Sequence, residues 1–84
     1  MLRYKVFINH EIFISGLRMG VERQRIMNFI SSLADNPNCL GDFPEKDHAG
    51  RIVQIKIVGR FAVTFWADHA VSEVKVTHIK PADQ

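Results

Sequence analysis

Residues 51–80, RIVQIKIVGRFAVTFWADHAVSEVKVTHIK, decide the fold. Apolar and polar residues alternate through three runs, 51–58, 60–67 and 71–79, with very short turns between them. Alternation at period two marks a half-buried strand. Turns this short join antiparallel neighbours. The reading is three consecutive antiparallel strands, turning at Val58-Gly59 and at Asp68-His69-Ala70. Val53, Ile55, Ile57, Phe61, Val63, Phe65, Val74 and Val76 are assigned to the buried face, with His78 a candidate beside them. Gln54, Lys56, Arg60, Trp66 and Lys75 are left on the free face. A basic sheet face with one large aromatic suits a polyanion better than a protein core.

Working outward, residues 3–8 also alternate and carry strong strand formers, so they read as a first strand. Apolar residues on both of its faces point to an interior place in the sheet. Residues 10–19 fit a short helix, or equally the return strand of a hairpin. The helix is preferred because Gly16 and Gly20 flank a region that leads into a clearer one. That clearer helix spans 21–33, where Ile26, Phe29, Ile30 and Leu33 stand at i, i+3, i+4 and i+7. Asp35-Asn36-Pro37 ends it. Residues 36–49 hold Pro37, Gly41 and Pro44, have no period, and read as a long surface connection.

The 84 residues suffice for one domain, and a chain this size buries only about 60–65% of its unfolded surface. At 46% hydrophobic and 24% charged the composition is that of a folded chain. The net charge of +2 is too mild to identify a nucleic-acid binder. Its distribution says more: residues 51–80 hold five Lys/Arg against two Asp/Glu, whereas 36–50 hold one against three. The single cysteine, Cys39, excludes an internal disulfide and suits a reducing compartment. No apolar run has the length of a signal sequence or a membrane span. The expectation is a soluble cytoplasmic protein without a membrane partner.

The first strand YKVFI (4–8), the helix end ISSLADNP (30–37), a loop, the hairpin GRIVQIKIVGRFAVTFW (50–66) and the last strand EVKVTHIK (73–80) together resemble the RelE/ParE superfamily of bacterial toxins. The likeness covers nearly the whole chain. Its most telling part is LADNP followed by the G-R…K-x-x-G-R hairpin. The resemblance implies one α+β toxin domain over 1–84, built βααβββ, with an antiparallel sheet covered on one face by two helices. It implies the toxin of a type II toxin–antitoxin pair, wrapped by a cognate antitoxin protein. It also implies one of two targets: messenger RNA cut in the ribosomal decoding site, or DNA gyrase. RelE-type members place two basic residues two apart on the second strand, where Gln54 and Lys56 stand here. They place an arginine early on the third strand; Arg60 has the parity and Ala62 the spacing. The end of their last strand carries Arg, Lys or His, and here His78 and Lys80 stand there. Some members use a tyrosine beyond that strand, whereas the one tyrosine of this chain is Tyr4.

Cutting RNA without a metal needs a base for the 2′-hydroxyl, cations for the phosphorane and an acid for the leaving oxygen. The reading assigns Lys56 and Arg60 to the phosphate and His78 to acid or base. Arg51, Gln54, Trp66, Lys75 and Lys80 are assigned to RNA contact. The plainer alternatives stand beside these: Lys56 and Arg60 as solvated strand charges, His78 as a tucked strand-end histidine. His48 is read first as a solvated loop histidine and second as an acid–base group, and His10 as a turn or helix-start residue. Trp66 is read first as packing on an antitoxin helix, with stacking on a base and a place in the core as the alternatives. Arg18, Arg23 and Arg25 form a second basic patch, either a solvated helix face or a contact for ribosomal RNA. Asp47-His48 and Asp68-His69 match no zinc spacing, so no metal and no cofactor is expected. Two other functions remain open: a ParE-like gyrase inhibitor that is not an enzyme, and a toxin-like fold without toxicity that binds a protein partner.

Overall fold

The computed structural model describes residues 3–8 and 20–82. In chain order its elements are β1 (Lys5–Ile8), α1 (Gly20–Ser32), β2 (Phe43–Lys46), β3 (Ile52–Val58), β4 (Phe61–Asp68) and β5 (Glu73–Pro81). The helix proposed for 10–19 lies outside the described residues. The other helix falls where its apolar stripe puts it, within a residue at each end.

Gly59 and Arg60 alone join β3 to β4. Gly59 takes φ +61°, and a positive φ at the first central position is what a two-residue II′ hairpin turn requires. The turn sets Val58 opposite Phe61, Lys56 opposite Val63 and Gln54 opposite Phe65. Directly opposed residues share a face of the sheet. Gln54 and Lys56 are therefore on the side of Val63 and Phe65, not on a free face away from them. Val53, Ile55 and Ile57 take the other side. This corrects the sequence reading, which puts Val53, Ile55 and Ile57 on the face of Phe61, Val63 and Phe65; a two-residue turn sets odd-numbered residues of one strand opposite even-numbered residues of the other, so those two sets lie on opposite faces. Arg60 is accordingly a turn residue and not part of a strand. The β4–β5 turn is also longer than expected. It runs through 69–72, with Ser72 at φ 57°, so β5 begins at Glu73.

The five strands form one sheet in the order β1-β5-β4-β3-β2. Neighbours are antiparallel except β1 and β5, which are parallel. The sheet is thus mixed rather than antiparallel, and β1 ends the described sheet instead of lying inside it. The other end is β2, in the segment read as a loop. Its sequence, FPEK, is rich in poor strand formers. It is tolerated at an edge, where the missing N–H of Pro44 costs no ladder bond. Three contacts press the preceding segment onto β3. The Asp42 N–H donates to the Ile55 carbonyl at 2.7 Å, and the Gly41 N–H donates to Gln54 Oε1 at 3.0 Å. Gly41 lies so close that a Cβ there would collide with the Ile55 backbone.

One face of the sheet carries the core. Ile26, Ile30 and Leu33 of the α1 stripe pack on Val63, Phe65, Val74, Val76 and Ile79. Phe29 meets Phe65 edge-on, with centroids 5.5 Å apart. The helix end tightens through i→i+3 bonds from Leu33 to Asn36, and its Ala34 carbonyl accepts the Tyr4 N–H beside β1 at 3.0 Å. At the other end of α1, Glu22 receives two bonds from Arg60, at 2.9 and 3.2 Å. The start of the helix is thereby tied to the β3–β4 turn.

Phe65, 1% exposed, stands where helix and sheet meet. Phe65→Ala is expected to cost about 3–5 kcal/mol, whereas Leu40→Ser, at a side chain 76% exposed, changes stability by no more than about 0.5 kcal/mol. Urea unfolding of the two variants measures both.

Candidate functional site

The face of the sheet away from α1 coils into a trough of about 420 Å³. Val53, Ile55, Ala62 and Thr64 form its floor, each buried. Phe43, Glu45 and His48 rise on the β2 side, and Thr77, His78 and Lys80 on the β5 side.

A bulge in β5 determines which residues reach the trough. Thr64 is opposite His78, but Phe65 is opposite Val76, so Thr77 is an extra residue in β5. Without it the alternation of Val74 and Val76 would continue through His78 and Lys80 into the core. With it Ile79 returns to the core at 6% exposure, and His78 and Lys80 face the trough. The His78 Nδ1 lies 3.1 Å from Thr77 Oγ1. An imidazole, an ammonium group and the Thr77 hydroxyl thus share one side, with the Thr64 hydroxyl on the floor and a second imidazole across from them. Such a set can move protons and hold an anion over an apolar floor.

A second cluster lies on the same face, toward the start of β5. Trp66 is opposite Lys75, which is level with Phe7 of β1. The Arg51 guanidinium sits 3.9 Å from the Trp66 ring centroid, and the Lys75 ammonium 5.1 Å from it. These cations are partnered: Arg51 with Asp47 at 2.9 Å, and Lys75 with Asp68 at 3.3 Å and Glu73 at 3.9 Å. The Asp47 carboxylate also accepts the Arg51 and Ala49 N–H groups. These bonds, the Arg51 N–H first, hold its carboxyl below the usual aspartate range.

The residues singled out in the sequence therefore separate into groups. Arg51, Trp66 and Lys75 come together, as do His78 and Lys80. Lys56, Arg60 and Gln54 do not join either group. Lys56 reaches Asp42 at 3.4 Å; Arg60 is paired with Glu22; Gln54 holds Gly41. His48 lines the trough from the β2–β3 loop. Arg23 and Arg25 are exposed on α1, and His10 and Arg18 lie outside the described residues. Phe43, Glu45, Thr64 and Thr77 are trough residues that the sequence reading missed. The signal for Thr77 is present in VKVTHIK, where the apolar spacing stretches from two to three between Val76 and Ile79. Among the described residues no three His, Cys, Asp or Glu side chains converge as metal ligands. No described helix is long and apolar enough to cross a membrane.

The sequence matches no family model and no curated protein. The fold does find a counterpart. The chain superposes on the archaeal RelE–RelB complex structure from Pyrococcus horikoshii OT3 with a TM-score of 0.74, covering 94% of each chain at 15% identity. The chain has a RelE-like fold. At this identity the likeness is one of backbone architecture, and the trough residues carry their own argument.

Asp42 supplies a test of how the β3 edge is held. Its carboxylate accepts the Ile57 N–H at 2.7 Å. That bond, aided by Lys56 and opposed by partial desolvation, lowers its pKa. A lowered folded value stabilises the fold fully above the ordinary aspartate pKa, and the contribution is lost as pH falls through the folded value. The urea midpoint should therefore drop on acidification below about pH 4, and Asp42→Asn should flatten that limb. An identical acid limb in the variant contradicts the assignment.

Proposed function

We propose that this chain is the toxin of a type II toxin–antitoxin pair and that it arrests translation by cutting messenger RNA on the ribosome. The observation that carries the reading is the trough: His78 and Lys80 turned outward on a RelE-like fold, with His48 facing them. The fold neighbour was solved as a RelE–RelB complex, which supports an antitoxin partner here.

The chemistry follows from those groups. One imidazole removes the 2′-hydroxyl proton, and the 2′-oxygen attacks the adjacent phosphorus. Lys80 balances the charge that develops on the phosphorane oxygens. The P–O5′ bond breaks, and an imidazolium gives its proton to the leaving 5′-oxygen. The products are a 2′,3′-cyclic phosphate and a 5′-hydroxyl. His78 is the acid or base, and His48 is its complement. Lys80 takes the charge role first assigned to Lys56 and Arg60, because those two are engaged with Asp42 and Glu22. Arg51, Trp66 and Lys75 extend the contact surface along the same face. Their cations are matched by Asp47, Asp68 and Glu73, which favours the antitoxin over RNA as the partner of Trp66. Phe7, 49% exposed, lies level with that cluster and suits the same protein partner. A protein acting on ribosomes works in the cytoplasm.

A second reading is favoured by the trough floor. Val53, Ile55 and Ala62 put apolar surface where a nuclease of this kind would hold cations. That suits a protein side chain, as in a gyrase inhibitor or a binding module without toxicity.

Induced expression separates these readings. Rapid translation arrest with cut messages, relieved by a small acidic open reading frame beside the gene, is the expected result. Filamentation and DNA damage with intact messages would establish the gyrase reading instead. Normal growth with intact messages would leave the binding module.

A further inference from the structure

We propose that Thr77 is a positioning residue for His78: the bulge puts the two side chains side by side in the trough, and the Thr77 hydroxyl holds Nδ1 so that Nε2 is presented to the ligand. The inference rests on the reading of the trough as the acting surface.

A regular strand cannot do this. Successive side chains of an unbroken strand alternate, so neighbours such as Thr77 and His78 would face opposite ways. A bulge sets two residues of one strand against a single partner. Here Thr77 and His78 both line the trough above Thr64. The driving force lies on the other side of the sheet. Ile79 is 6% exposed within the cluster that contains Val74 and Val76, and it reaches that cluster only if β5 absorbs one extra residue. Burial of Ile79 therefore turns His78 and Lys80 outward.

The chemistry of the extra residue then matters. A hydroxyl both donates and accepts. At 3.1 Å it can donate to Nδ1 when the proton is on Nε2, and accept from Nδ1–H when Nε2 is bare. The ring keeps one orientation through either stage of a proton transfer, and Nε2 is the atom that exchanges the proton. Valine has the shape of threonine without this capacity. Serine has the capacity without the methyl group.

The test uses the full chain with 15N-labelled histidine, with every variant read at the same pH. In wild type and Thr77→Ser the His78 Nδ1 shift should be that of a nitrogen hydrogen-bonded to the hydroxyl, whichever nitrogen carries the proton. In Thr77→Val the Nδ1 shift should move, because that hydrogen-bond partner is gone. If Thr77→Val folds poorly, deletion of Thr77 serves instead, because it leaves Val74, Val76 and Ile79 on one face and His78 and Lys80 on the other. Message cleavage by Thr77→Val should fall about tenfold or more and be restored by Thr77→Ser. Ring shifts in Thr77→Val identical to wild type overturn the proposal. A wild-type chain that cuts no message overturns the reading of the trough, while the ring signature still decides the role of Thr77.

Discussion

The Gly59–Arg60 turn is the constraint on which the sheet depends. With only two residues to reverse the chain, Val58 must meet Phe61, and that pairing propagates through every later pair of β3 and β4. It sends Lys56 and Gln54 to the helix side and leaves Val53 and Ile55 under the trough. A glycine at positive φ makes the turn available. The bidentate Glu22–Arg60 pair then fastens it to the helix, and the guanidinium hydrogen bonds hold Glu22 below the usual glutamate range.

A second constraint acts at the far edge of the same strands. The helix stripe of Ile26, Ile30 and Leu33 needs apolar partners from β5. Val74, Val76 and Ile79 supply them at an uneven spacing. The bulge at Thr77 reconciles that spacing with the ladder, and His78 and Lys80 reach the open face as a consequence. Core packing on one side thus sets which side chains line the other. The trough is where these two constraints meet, because β3 and β4 form its floor and the end of β5 its wall.

Much of this architecture is legible in the sequence. The alternation of β1, β3, β4 and β5 and the stripe of α1 give the elements and the class, because period two and period 3.6 are direct consequences of backbone geometry. Relative register is less visible. Both sets of alternate residues in β3 are partly apolar, so periodicity alone does not say which set meets Val63 and Phe65. β2 escapes notice because Pro44, Glu45 and Lys46 are poor strand formers held there by pairing with β3. The parallel pairing of β1 with β5 is a long-range contact that no local pattern reports. For the candidate site, His78 and Lys80 are singled out by the family resemblance at the end of the last strand, and the structure places both at the trough. Lys56 and Arg60 carry the right charge, but the turn directs them elsewhere.

The most direct measurement compares the two sides of the sheet. Growth arrest is followed on induction of the double variants His78→Ala/Lys80→Ala and Lys56→Ala/Arg60→Ala, with folding of each checked by circular dichroism. The account predicts that the first variant loses arrest and message cleavage and that the second keeps both. Arrest that survives loss of His78 and Lys80 but disappears with Lys56 and Arg60 would contradict it.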